Sequence, residues 1–179
     1  MTHADLVNAA YKWLLKNGCS FAFKELKSFA VETPDVIGWR EGSSVLIECK
    51  MSLDDFKADG KKPFRVEPET GMGRYRFYLS PENVILPKML PGKWGLLWLM
   101  DSGEVEKIIA PTGNIWSDWS KFEYNERAET LMLCSALRRV HAAGGLEKHL
   151  KNRRRDERIN QGGEQAGQEN PQERGFNRV

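Results

Sequence analysis

The sequence contains no pair of cysteines placed to clamp a metal or staple a small fold. Its three cysteines, Cys19, Cys49 and Cys134, are far apart, and none belongs to a C-x-x-C unit. That excludes a zinc ribbon and a disulfide framework, and it points to free thiols in a reducing cytoplasm. His3, His141 and His149 form no metal-spaced set with them. No apolar run approaches the roughly 18 residues that a membrane-spanning helix needs, so no membrane partner is expected. The opening MTHADLVNAAYKW has no basic segment leading into an apolar one, so no secretory leader is expected. Charge excess is also small. The formal net charge is +2, and residues 151–179 carry all of it, with 7 Lys or Arg against 5 Asp or Glu. A nucleic-acid partner would therefore have to be recognised by local clusters of cations. There is no internal repeat.

What is present suits one globular domain. The 179 residues are 40% apolar and 29% charged, enough for a core that buries roughly two-thirds of the unfolded surface. Residues 1–150 are expected to form that domain. Residues 151–179 are polar, with almost nothing apolar after Ile159, and are expected to be a disordered tail.

Periodicity predicts a helix over residues 4–17, with Leu6, Val7, Ala10, Trp13 and Leu14 on one stripe and Gly18 as its stop. Asp5, its only acid, lies at an end expected to fray. CSFAFKEL (19–26) reads as a strand. Residues 35–39 and 44–50 read as two more around the turn REGS. Ser52 resembles a helix N-cap, with Asp54 and Asp55 in the first turn of a short helix that ends near Gly60. KKPFRVEPETGMGR reads as a long polar loop, and Gly71-Met72-Gly73 within it as a flexible turn. YRFYLS reads as a strand, WGLLWLM and EVEKIIA as a hairpin about Asp101-Ser102-Gly103. Residues 127–143 read as a helix with Ala128, Leu131, Leu137 and Val140 on one stripe. The class is α/β with a mixed sheet.

The chemistry gathers where SVLIECK ends. Side chains alternate along a strand, so Glu48 and Lys50 share one face and Ile47 and Cys49 the other. If Glu41-Gly42 is a two-residue hairpin loop, Asp35 stands opposite Glu48, with side chains about 5 Å apart. Two carboxylates that close repel unless a cation lies between them. Hard oxygen ligands suit Mg²⁺, and Mn²⁺ can substitute for it. A carboxylate-held Mg²⁺ activates water and neutralises charge on a phosphate, and Lys50 beside it can orient the water or stabilise the transition state. A one-residue slip would destroy this arrangement. The competing reading of E-x-K is a cross-strand ion pair at a sheet edge. Two features favour a site: the apolar VLI leads directly into the charges, and Pro34-Asp35 opens the partner strand at the matching height.

Pro34-Asp35 followed by Glu48-x-Lys50 resembles the signature of the PD-(D/E)xK nuclease superfamily. The order helix–three strands–helix–strand over residues 4–79 is similar to its restriction-endonuclease-like core, here with an added hairpin and C-terminal helix. ECKMSLDDFKADGKKPFR further resembles the MmcB-like proteins of bacteria and phages that are associated with DNA repair. Their "DF…D…K" pattern is matched by Asp55-Phe56, Asp59 and Lys61 or Lys62. The resemblance implies a metal-dependent endonuclease hydrolysing DNA in repair, recombination or phage DNA processing. Asp35 and Glu48 would then be metal ligands, the Cys49 carbonyl a further ligand, and Lys50 the catalytic lysine. It also implies a cytoplasmic location (of a host cell if phage-encoded) and allows a homodimer. Many members add an acid in the first helix. Here Glu25 is the better substitute and Glu32 the weaker.

Lys61, Lys62, Arg65, Arg74 and Arg76, interleaved with Phe64, Tyr75 and Tyr78, are expected to contact a DNA backbone. The aromatics taken singly read as core. Arg153-Arg154-Arg155 could touch nucleic acid or end a solvated helix. An RNA-directed nuclease of the same fold is another reading. A different class also fits: a catalytically silent nuclease-fold module that binds nucleic acid or a protein partner.

Overall fold

The first helix, α1 (His3–Lys16), starts at a capping box. The Thr2 hydroxyl accepts the Asp5 N–H at 3.3 Å, while the Asp5 carboxylate accepts the Thr2 N–H at 2.7 Å. Reciprocal caps satisfy N–H groups that a helix start otherwise leaves orphaned, so the expectation of a frayed end is corrected. The stripe Leu6, Val7, Ala10, Trp13 and Leu14 is buried as expected. Each large apolar side chain contributes about 1.5–3 kcal/mol through that burial. This is a computed structural model, and it describes residues 1–111, 115–116 and 121–148. The expectations for His149, for the tail 151–179 and for its three arginines lie outside those residues.

The six-stranded sheet follows chain order: β1 (Phe21–Lys24), β2 (Val36–Arg40), β3 (Ser43–Cys49), β4 (Tyr75–Pro81), β5 (Gly95–Leu99) and β6 (Val105–Ile109). β1, β2 and β3 form an antiparallel meander, β4 and β5 run parallel to β3, and β6 returns antiparallel. The tight turn between β2 and β3 is Glu41-Gly42, with φ of 49° and 80°. Positive φ at both positions is what a two-residue hairpin matched to strand twist demands. The register that follows is the expected one, from Arg40 opposite Ser43 to Val36 opposite Ile47.

A parallel step from β3 to β4 needs a crossover. It is built from α2 (Leu53–Asp59), α3 (Pro63–Val66) and a 3₁₀ turn at Pro68–Thr70. The Ser52 hydroxyl accepts the Asp55 N–H at 3.2 Å, so the predicted N-cap is present. The long polar loop expected after Gly60 is instead a structured return. Pro63 at the first helical position presets φ for a short helix, and that helix turns Arg65 inward.

The sheet is buried on both faces. Val45, Ile47 and Cys49 pack toward α1 with Trp13, Phe77 and Leu79. Leu46 packs on the other side with Phe56, Met72, Tyr78, Trp94 and Met132. No helix among the described residues is long and apolar enough to cross a membrane. The chain divides into two compact units, Met1–Ser135 and Ala136–Val179, and the first contains the whole sheet. The last helix, α4 (Glu126–Ala142), buries Ala128, Glu129, Met132 and Ser135, while Leu137 and Val140 are exposed. Of the predicted apolar stripe, Ala128 is buried as expected, and beside it a carboxylate anchors the helix. The Glu129 oxygens accept from the Ser44 hydroxyl at 2.7 Å, the Gly73 N–H at 2.8 Å and the Trp39 indole at 3.0 Å. In the second unit the helix ends at Gly144, whose φ is 70° and whose N–H reaches the His141 carbonyl at 2.8 Å.

Candidate functional site

β3 delivers Glu48 and Lys50 to one end of the sheet on the face that carries Leu46. Both are nearly sealed, at 3% and 4% exposure. Asp35, just before β2, fixes itself to this end by accepting the Cys49 N–H through Oδ2 at 2.7 Å. The Lys50 ammonium sits among the acids, 3.0 Å from Glu48, 3.3 Å from Asp59 and 3.9 Å from Asp35. The three residues picked out by the strand register therefore do converge. The cation between the two carboxylates is the side chain of Lys50 itself.

A second cation closes the network from α3. The Arg65 guanidinium reaches Glu32 at 2.6 Å, Asp59 at 2.9 Å and Glu48 at 3.0 Å. Its flat faces lie 4.7 Å from the Phe64 ring and 5.1 Å from the Trp94 ring. Asp59 also accepts the Tyr78 hydroxyl at 2.9 Å and pairs with Lys62 at 2.7 Å. Glu32 takes the Met72 N–H at 2.5 Å. Gly71-Met72-Gly73 is consequently no flexible turn, since its amides hold two buried carboxylates, those of Glu32 and Glu129.

Burial is the largest single influence at Glu48, Asp59 and Lys50, but it prevails only at Glu48. It pushes the Glu48 carboxyl up to about 7, against the pull of Arg65 and Lys50. At Asp59 burial pushes the same way, but Arg65 and Lys50 win and hold the carboxyl well below the usual range. Burial also opposes the Lys50 charge, yet Glu48, Asp59 and Asp35 outweigh it and raise its pKa above the ordinary lysine value. Paired with three carboxylates, Lys50 is held as an ammonium. The Cys49 thiol, on the opposite face and pushed upward by burial, is unreactive.

The expected DNA contacts divide by burial. Lys61 and Lys62 are exposed and Arg74 is half-buried. Arg65, with 3% of its side chain exposed, is committed to three carboxylates. Arg76 is 1% exposed, donates to the Gly73 and Pro68 carbonyls at 2.9 and 2.6 Å, and stacks on Phe122. The expectation that these two arginines face a phosphate backbone is corrected: both point into the protein. Among the aromatics, Tyr75 and Tyr78 are core, as their alternative reading had it.

Outside Asp35 lies a second cluster. His3 Nε2 stands 3.6 Å from Asp35 Oδ1 and 3.8 Å from Glu25 Oε1. Among the described residues, these three have ligand atoms close enough together to share an ion. Glu25 was expected here as the substitute acid. His3 was not, because its partners Glu25 and Asp35 are distant in sequence and reach it only through tertiary packing. The signal was Thr2-x-x-Asp5, a capping pattern that places His3 at the first helical position.

No family model matches the chain, and no curated protein matches it. Among solved structures it is similar to one described as SPO1766 protein of unknown function from Silicibacter pomeroyi. The two are 24% identical with a TM-score of 0.57, over 82% of this chain and 94% of that one. At that identity the likeness shows the fold alone. It spans a mixed α/β sheet flanked by helices, and it carries no residue assignment.

Proposed function

We propose that this chain is a metal-dependent nuclease that hydrolyses DNA phosphodiester bonds, with a restriction-endonuclease-like core and Mg²⁺ or Mn²⁺ as cofactor. One observation carries the reading: Asp35, just before β2, meets Glu48 at the end of β3 and Lys50 just after it, where a buried charge network reaches the surface. The element order, helix–three strands–helix–strand, supports the resemblance drawn from the sequence.

The donors fit a divalent cation on one side only. Asp35 Oδ1 faces outward toward His3 and Glu25, whereas the two Glu48 oxygens already meet Lys50 and Arg65. Asp35 would thus be the principal ligand, with Glu25 beside it. Glu48 and the Cys49 carbonyl would join only if Lys50 withdrew. A cation held there lowers the pKa of its water and offsets charge on the phosphate. Lys50 supplies a fixed positive charge behind Asp35, oriented by Glu48 and Asp59 before any substrate arrives. Arg65 holds those two acids in place. It is a positioning residue.

Duplex, nicked, branched and single-stranded DNA, with RNA alongside, should be incubated with Mg²⁺, Mn²⁺ or EDTA. The expected result is metal-dependent cutting of DNA that falls at least about a hundredfold in Asp35→Asn, with the melting temperature unchanged. Asparagine can keep an acceptor for the Cys49 N–H while it removes the charge and replaces the outward ligand oxygen with an amide nitrogen. Cutting unaffected by EDTA, or retained in Asp35→Asn, would overturn the assignment. The closure of both Glu48 oxygens by cations favours a second reading, a nuclease-fold module that binds without cutting. Tight DNA binding with no cleavage under any metal would select it.

A further inference from the structure

Three side chains with metal-binding atoms meet at the open rim of the network, each from a different element. His3 opens α1, Glu25 follows β1 and Asp35 precedes β2. Their ligand atoms all lie within 4.8 Å of one another. The imidazole nitrogen stands 3.6 Å from the aspartate oxygen and 3.8 Å from the glutamate oxygen, which is too far for hydrogen bonds. Around one ion, ligands bound at about 2.1 Å lie roughly 3.0–3.4 Å apart. The two gaps to the imidazole would each need to close by a few tenths of an ångström to enclose an ion.

The backbone positions of all three donors, and the carboxylate of Asp35, are set by contacts that owe nothing to an ion. The capping box fixes the turn that carries His3. The Cys49 N–H holds Asp35 Oδ2 at 2.7 Å and leaves Oδ1 to face His3. The Glu25 N–H donates to the Asp35 carbonyl at 2.9 Å, tying two of the three donors to each other through the backbone. At the rim itself two carboxylates, those of Glu25 and Asp35, stand beside His3, and the Lys50 ammonium 3.9 Å from Asp35 is shared with Glu48 and Asp59.

We propose that His3, Glu25 and Asp35 form a site for a first-row transition-metal dication, preferring Mn²⁺ and Zn²⁺ to Mg²⁺. Mg²⁺ takes oxygen ligands in a strict octahedron and parts with its waters reluctantly. An imidazole nitrogen among two carboxylates suits Mn²⁺ and, more strongly, Zn²⁺. Three protein ligands leave positions open for water or for a phosphate oxygen. The inference rests on these three residues and not on the nuclease reading.

The test uses the full chain without an affinity tag, stripped of metal. Calorimetric titration with Mn²⁺, Zn²⁺ and Mg²⁺ is expected to give one site, micromolar for the first two and much weaker for Mg²⁺. Bound Mn²⁺ should show nitrogen modulation in pulsed electron paramagnetic resonance, the signature of an imidazole ligand. His3→Gln should abolish the modulation and weaken Mn²⁺ binding at least about tenfold, and Glu25→Gln should weaken binding while leaving the modulation. Absence of Mn²⁺ binding below millimolar, or nitrogen modulation that persists in His3→Gln, would overturn the proposal. A protein that binds Mn²⁺ through His3 yet cuts no nucleic acid keeps this inference and overturns the enzymatic one. Cutting with Mg²⁺ that His3→Gln leaves intact, with no Mn²⁺ site found, does the reverse.

Discussion

Asp35 stands between two charge clusters built on opposite terms. On its inner side, Glu32, Glu48, Lys50, Asp59 and Arg65 are nearly sealed from water and bound to one another at 2.6–3.3 Å. On its outer side, His3 and Glu25 are 43% and 61% exposed and stand 3.6–3.8 Å from their neighbours. The inner cluster has its cations supplied by the chain. The outer cluster has acids and an imidazole but no fixed cation. The difference shows how one short motif can serve two purposes: the inner side rigidifies the end of β3, and the outer side offers the electrostatic opening. It also shows that a charged residue close to a site in sequence need not face its ligand.

The comparison breaks most visibly at Arg65. Three carboxylates depend on this guanidinium, and removing one partner of a buried ion network leaves its acids unpaired. Arg65→Met should cost about 3–5 kcal/mol of stability, read as a large fall in melting temperature or denaturation midpoint. Lysine should not restore it, because a point charge cannot span three carboxylates as a planar fork does. A loss below about 1 kcal/mol, the range of exposed pairs, would show that the inner cluster is as solvated as the outer one.

The parts legible in the sequence were those governed by local rules. Glu41-Gly42 is a turn whose backbone needs positive φ, and it set the register that brings Asp35 beside the end of β3. Ser52 and the alternation of SVLIECK were equally readable, since caps and pleats act over two to four residues. The destination of Arg65 was not readable in this way. Its helix is four residues long and its three acids come from positions 32, 48 and 59, so only tertiary packing decides whether it points in or out. Met72 and Gly73 were misread for the same reason, because their partners Glu32 and Glu129 are 40 and 56 residues away. The α4 stripe was legible only in part, at Ala128, because Glu129 breaks the rule that the buried face is apolar. Its cost is met by three neutral donors that an apolar pattern does not register.

Acid titration sharpens the contrast within the inner cluster. Glu48 has its carboxyl raised from 4.5 to about 7, so the folded state holds that proton more tightly than the unfolded chain. From this group, stability is greatest below 4.5 and declines as pH rises toward 7. The slope is on the order of 1 kcal/mol per pH unit inside that window. Asp59 has the opposite sign. Its carboxyl is lowered, so its contribution is present above the ordinary value of 3.8 and is lost as pH falls below it. From these two groups, metal-free protein in chelator should be most stable between those limits, and Glu129, whose carboxyl burial also raises, adds to the decline at higher pH. Glu48→Gln should lessen the decline above 4.5 and leave the acid limb intact. A decline undiminished in Glu48→Gln would assign it to another group.

The smallest expected effect separates two cations four residues apart. Lys61 is exposed and Arg65 is not. If DNA lies along this crossover, Lys61→Ala removes one phosphate contact that has no part in the fold. Binding should weaken a few-fold for every DNA sequence alike, and the slope of log affinity against log salt should fall by about 1. Stability should stay within about 0.5 kcal/mol of the parent. An unchanged salt slope would mean that the backbone passes elsewhere. The exposed lysine would then be a solvating residue, and the division between inner and outer charges would hold for the protein's stability but not for its partner.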